Sequence, residues 1–202
     1  VYKRQTHDNG GFLCVDCVTS LATCPIEIDR WGIDLAYSCS QKGLACPPGL
    51  APVTLSTPAL EVIATRKKPV PSFYFCLDEL KKYLTGLSNR AYHHTAPVSM
   101  IFGLHQGLRE VLDEGLEERW RRHREAAHYL ISALRPLGLE PLVAEVDRLN
   151  ALTTISIPKG VDDLSVRSLL LNEQGIEIGA GLSVPDFGET RGSGETDFND
   201  LH

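Results

Sequence analysis

One lysine and one aspartate are the residues here whose types and settings could do chemistry. Lys42 lies in Tyr37-Ser38-Cys39-Ser40-Gln41-Lys42-Gly43, which reads as a strand end that turns sharply. Apolar Ile33, Leu35 and Ala36 precede it, and a Gly/Pro-rich stretch from Gly43 to Gly49 follows. That setting predicts a lysine held in place and drawn out of water. A desolvated lysine loses its proton more readily and can form a Schiff base with a carbonyl. Asp16 lies upstream in Phe12-Leu13-Cys14-Val15-Asp16-Cys17-Val18-Thr19-Ser20, an apolar run with β-branched residues that suits a buried strand. A carboxylate among buried apolar residues is costly unless it is paired or well hydrogen-bonded. Taken singly, Lys42 reads first as a surface loop residue, and Asp16 reads equally as a turn cap. Taken together on successive strand ends, they point to pyridoxal phosphate. The lysine would hold its aldehyde carbon, and the aspartate would face its protonated pyridine nitrogen.

The elements that position these two residues follow from pattern. Val1 to Gly11 reads as a helix tail and a loop, closed by the turn signal Asn9-Gly10-Gly11. A strand carries Asp16 at its far end. A short strand over Ile26 to Ile28 and a turn or short helix over Asp29 to Asp34 lead to the strand Leu35 to Ser38. Pro47-Pro48-Gly49 forces a rigid turn before a strand over Ala51 to Leu55. Ser56 is an N-cap, with Pro58 in the first turn of a helix to about Thr65. Apolar spacing predicts helices over Phe75 to Leu84, ended by Gly86, and over Val98 to Glu114. Gly115 breaks the chain before a helix over Leu116 to Leu137 that Gly138 caps. Its Arg/Glu face reads as a solvated surface of i,i+4 pairs. Strands over Leu142 to Val146 and Leu152 to Ile157, a helix over Asp162 to Asn172 and a strand over Ile176 to Ile178 give a β-β-α-β order. The expected organisation is α/β: residues 1–114 as part of a large domain, 115–182 as a small α+β domain, and 183–202 as a divergent polar tail.

Bulk properties narrow the function. The 202 residues, 43% hydrophobic and 23% charged, suit a globular protein. The net charge of −6 gives no support for binding nucleic acid or acidic membranes. No apolar run reaches transmembrane length, and no signal peptide is visible. All six cysteines fall within the first 76 residues. Cys14 and Cys17, three apart on a strand, point to opposite faces, which suits neither a disulfide nor one metal; they read as small core residues of a reducing compartment, with a redox motif as the alternative. His93 and His94 would point apart, with no third ligand at useful spacing, so no metal is expected.

Four segments carry a resemblance to a known family. Val15-Asp16 through Ser20, Tyr37-Ser38 through Lys42 with Pro47-Pro48-Gly49, Ala91-Tyr92-His93-His94-Thr95-Ala96-Pro97, and Glu114-Gly115-Leu116-Glu117 with Arg122-His123-Arg124-Glu125-Ala126-Ala127 stand in the order seen in the class V aminotransferases. Within that family they most resemble the serine–pyruvate/alanine–glyoxylate aminotransferases. The resemblance runs from about Phe12 to Leu182. It implies the fold of the C-terminal part of a fold-type-I pyridoxal-phosphate transferase, with a mostly parallel large-domain sheet followed by a small α+β domain. The implied reaction moves an amino group from alanine or serine to glyoxylate or pyruvate. Lys42 and Asp16 would be catalytic. Ser20, Gln41, Tyr92 and Thr95 would bind the cofactor, Gln41 at its phosphate and Tyr92 with Thr95 reaching the phosphate from a neighbouring subunit, so that the partner is a second copy. The location implied is intracellular, peroxisomal or mitochondrial, although Asn199-Asp200-Leu201-His202 is not a peroxisomal address.

The sequence departs from the family at both ends. The family has a long segment before the Asp16 strand, which holds a phosphate-cradling turn and a ring-stacking aromatic; its absence here implies a partial chain or a degenerate relative. After Gly181-Leu182 the family continues with a strand whose arginine pairs with the substrate carboxylate. Arg191 falls at that distance and is the candidate, but its neighbours are polar and Gly-rich, as in read-through into unrelated sequence. Two competing readings follow. A cysteine desulfurase of the same class usually has His before the lysine, where this chain has Gln41. A truncated, non-catalytic homologue would bind a protein partner or nothing.

Overall fold

The computed structural model describes residues 2–85 and 92–181, with side chains from residue 5. Helix α1 (Tyr2–Asp8) leads to β1 (Cys14–Asp16), α2 (Ile28–Trp31), β2 (Leu35–Tyr37) and β3 (Val53–Leu55). The strands form one sheet in the order β1-β2-β3. β1 and β2 are parallel, with Asp16 beside Tyr37, and β3 returns antiparallel to β2. Then follow α3 (Thr57–Ala64), α4 (Leu77–Thr85), α5 (Val98–Glu114), α6 (Leu116–Leu134) and α7 (Asp163–Leu169). This is an α/β arrangement. Among the described residues no helix is long and apolar enough to cross a membrane.

Two apolar clusters hold the sheet and its loops. Cys17, Ile33 and Ala36 pack with Leu13, Val15, Leu21, Ile26 and Ile28 on one face of the sheet. Ala22, Leu44, Cys46 and Val111 pack with Leu21 and Leu104, joining the loop after β2 to α5. Leu21 belongs to both, so the turn after β1 couples sheet and helix. At the other end of the strands, buried Asp34 acts as a polar pin. Its Oδ2 accepts from Leu13 N at 2.9 Å and from His7 Nε2 at 2.8 Å, and its Oδ1 accepts from Ser56 Oγ at 2.9 Å. Those bonds, the Leu13 amide first, hold its carboxyl below the ordinary carboxylate range. Ser56 caps α3 as expected, its Oγ accepting from Ala59 N.

Several expectations are corrected. Ile26–Ile28 is not a strand; α2 starts at Ile28 and ends at Gly32, whose φ of 58° gives a left-handed cap. Helix α6 stops at Leu134 and tightens to a 3₁₀ turn over Arg135–Leu137, with Gly138 capping at φ 75°. The expected β-β-α-β unit is largely helix and loop. Residues 142–146 and 152–157 are reduced to a Pro141–Ile155 bridge, with Leu142 N donating to Thr154 O and Ser156 N to Glu140 O. Glu145–Asp147 is a 3₁₀ turn, and α7 runs into a π turn over Leu170–Gln174. Ile176 and Ile178 are about half exposed and form no strand. A strand needs a neighbour for its ladder, and the described residues offer them none. The helix end expected at Gly86, and Arg191, lie outside the described residues.

Candidate active site

The candidate residues of the first forty-odd positions gather at one end of the sheet. Asp16 closes β1, and the loop that carries Gln41 and Lys42 leaves the same, carboxyl end of β2. In α/β sheets, ligands bind outside the carboxyl ends of parallel strands. The two strand ends are tied together: Cys17 N donates to Tyr37 O at 2.8 Å, and Ser38 Oγ to Cys17 O at 3.0 Å. Ser20 lies in the turn after β1, where its carbonyl accepts from Thr23 N and Cys24 N.

Asp16 is not buried, contrary to expectation. Val15 and Ala36 point into the core, and strand alternation turns Cys14, Asp16 and Tyr37 to the other face, which is exposed. There Asp16 Oδ1 accepts from Val18 N at 2.7 Å, and Oδ2 accepts from Tyr37 O–H at 2.8 Å. Each oxygen keeps a lone pair for a further donor. The bond to Asp16 raises the Tyr37 phenol above its ordinary value. Tyr37 was not singled out in the sequence, although the parallel register that places it beside Asp16 follows once both strands are aligned.

Lys42 is also exposed, so it is held through its backbone rather than by desolvation of its amine. Its carbonyl accepts from Ala45 N at 2.8 Å. Ser40, 1% exposed, pins the loop: its N–H donates to Leu50 O, its carbonyl accepts from Cys46 N, and its Oγ donates to Pro47 O at 2.7 Å. Gly43 lies against the turn after β1 so closely that a Cβ would stand 2.1 Å from Leu21 O and 2.8 Å from Thr23 Cγ2. On the opposite side, Gly107 of α5 meets the same loop, where a Cβ would stand 2.3 Å from Cys46 Sγ. Only glycine permits these approaches.

Tyr92 and Thr95 form a separate group. Their hydroxyls lie 2.5 Å apart, and Tyr92 is largely exposed. Among the described residues neither is hydrogen-bonded to Asp16, Ser20 or Lys42 within one chain. The adjacent histidines do not point apart: His93 Nδ1 and His94 Nδ1 are 2.7 Å apart. His93 stacks on Phe73 at 4.7 Å, and its Nε2 donates to Phe73 O at 3.1 Å. A carbonyl only accepts, so His93 donates through Nε2–H and its Nδ1 accepts the hydrogen bond from His94 Nδ1–H, which commits both rings to each other. Among the described residues no cluster could hold a metal ion.

The profile of the family described as Aminotransferase class-V matches residues 2–188. The chain belongs to the class-V aminotransferase family. It is 42% identical over 176 residues to the alanine–glyoxylate aminotransferase of Callithrix jacchus, covering 84% of this chain and 42% of that protein. It is 35% identical over 186 residues to the (S)-ureidoglycine–glyoxylate transaminase of Bacillus subtilis, covering 83% and 44%. Among solved structures, the alanine–glyoxylate aminotransferase of Nostoc sp. superposes with a TM-score of 0.83 at 45% identity, over 90% of this chain and 48% of that one. The chain thus spans less than half the length of these relatives.

Class-V aminotransferases depend on pyridoxal phosphate. The chemistry of the donor set fits that group. A primary amine, Lys42, suits its aldehyde; a carboxylate with acceptor capacity to spare, Asp16, suits its pyridinium; and a hydroxyl and an amide, Ser20 and Gln41, are of types that could meet its polar groups.

Proposed function

We propose that this chain carries the lysine half of a pyridoxal-phosphate site that transfers an amino group from alanine or serine to glyoxylate or pyruvate. The observation that carries the reading is the placement of Asp16 and the Lys42 loop at the same ends of adjacent parallel strands. Pyridoxal phosphate supplies an aldehyde that takes up the amino group and a protonated ring that draws off electrons. Lys42 Nζ would hold the aldehyde carbon, and its amine would move the proton at the substrate α-carbon. Asp16 would keep the ring nitrogen protonated, with Tyr37 O–H orienting its carboxylate. Ser20 and Gln41 bind the cofactor's polar edge, and Arg191 is the candidate for the substrate carboxylate. Glyoxylate is common to the names of both relatives, which favours it as acceptor.

Tyr92 and Thr95 would reach the cofactor phosphate of a neighbouring subunit, in a homodimer. In support, Phe73, Tyr74, Phe75 and Tyr92 are each more than half exposed, and ring contacts join them through His93, His94 and Tyr83. An exposed aromatic patch of this kind marks an interaction surface. Gly115, at φ 83° between α5 and α6, is the proposed division between residues 1–114 and 115–182. A peroxisomal or mitochondrial location rests on the resemblance alone.

The test is spectroscopic. Pyridoxal phosphate added to the purified chain should give an absorbance band that Lys42→Ala abolishes. The absence of a band, or an equal band in the variant, overturns the reading.

A further inference from the structure

Arg119 breaks the pattern of the helix that carries it. On α6, the Arg121 and Arg122 side chains are about half exposed and pair with carboxylates at the surface. Arg119 is 9% exposed. Its Nη1 donates to Glu114 Oε2 at 2.6 Å, and its Nη2 to Gly43 O at 2.7 Å. Its Nε is buried with no partner. A cation taken out of water with an unsatisfied N–H is costly, and an apolar side chain would avoid that cost. What an apolar residue could not do is make the two forked bonds. They join the residue after Lys42 to the end of α5.

The same peptide is already fixed from the other side, where Gly43 rests against Leu21 O and Thr23. Arg119 therefore closes a clamp, with the turn after β1 on one side and the α5–α6 junction on the other. Glu114 holds Arg119 and also accepts from Arg122 Nε at 2.6 Å, so the guanidinium is itself held from the rear. We propose that Arg119 is a positioning residue for Lys42: its grip on the Gly43 carbonyl fixes the backbone of the loop that carries the lysine, at the sheet end that bears Asp16. This rests on the assignment of Lys42 above.

The test compares the full chain with R119Q and R119K by two readouts. The first is amide hydrogen exchange followed by mass spectrometry, which needs no cofactor. The second is titration with pyridoxal phosphate, read as the Lys42-dependent band. In R119Q, exchange over residues 40–46 should rise at least about tenfold while residues 12–17 and 98–111 keep their protection, and cofactor affinity should fall about tenfold or more. R119K keeps the buried charge but cannot span both acceptors, so it should fall between R119Q and the unmodified chain. Unchanged exchange over 40–46, or an equal rise throughout the chain, would overturn the proposal; the latter is what a merely structural arginine would give. If R119Q does not fold, R119K decides by the same localised criterion. If the unmodified chain shows no Lys42-dependent band, the cofactor assignment fails, and the exchange data still decide whether Arg119 clamps the loop.

Discussion

Gly43→Ala is the sharpest perturbation of the lysine loop, because its size can be worked from the structure. The new Cβ would stand 2.1 Å from Leu21 O, where ordinary contact begins at 3.4 Å. One backbone must move by about 1.3 Å, since the obstacle is a carbonyl and not a pliable side chain. Gly43 has no positive φ, so the effect is one of space and not of backbone preference. The turn after β1 cannot retreat easily, because Leu21 packs in both apolar clusters and Thr23 Oγ1 is bonded to Thr19 O at 2.8 Å. The lysine loop is pinned as well, by Ser40 and Arg119, so whatever part of the shift it takes is carried to Lys42. Overpacking of this kind costs about 1–3 kcal/mol in stability. A displacement of about 1 Å in a reacting group costs on the order of 100-fold in catalytic efficiency. Thermal unfolding and pyridoxal-phosphate titration should therefore both respond, with affinity at Lys42 down by at least about tenfold. Gly179→Ala is the control, since a Cβ there meets nothing within 4 Å; it should shift stability by under about 0.5 kcal/mol. An alanine at 43 that melts and binds like the unmodified chain would refute the close approach.

Two further predictions concern carboxylates. Asp34 has a folded-state pKa below its ordinary value, so its contribution to stability is complete above that ordinary value, near pH 3.8, and is lost as pH falls through the depressed one. Asp34→Asn should lower stability at neutral pH by about 1–3 kcal/mol, by leaving the Leu13 amide or a side-chain donor unpaired. Its melting temperature should fall less steeply with acidification than that of the unmodified chain, and parallel curves would contradict this. Asp16→Asn should leave the melting temperature within about 2 °C, because the side chain is exposed, while lowering transamination by at least about 100-fold; normal turnover would remove Asp16 from the mechanism.

The legible part of the sequence was the local part. Helix α5 runs over Val98–Glu114 as read, because its apolar spacing and the following glycine are properties of the segment itself. Strands β1 to β3 and the Ser56 cap were likewise visible. Exposure was not. A carboxylate inside an apolar run looks buried until pairing shows which face of the strand is covered, and at Asp16 the covered face is the one with Val15. Strands 142–146 and 176–178 read well by composition but depend on neighbours that the segment does not contain. Arg119 was hidden among arginines that do form surface pairs; its acceptor, Gly43 O, lies 76 residues away in sequence. The close approach of Gly43 to Leu21 O left only a weak signal, a glycine immediately after the lysine.

The most direct measurement is covalent. Incubating the full chain with pyridoxal phosphate, reducing with borohydride and mapping the peptides by mass spectrometry should place the cofactor's mass on Lys42 at stoichiometric cofactor. Label scattered over the exposed lysines 67, 68, 81 and 82, with Lys42 unmodified, would contradict the assignment of Lys42 as the cofactor lysine.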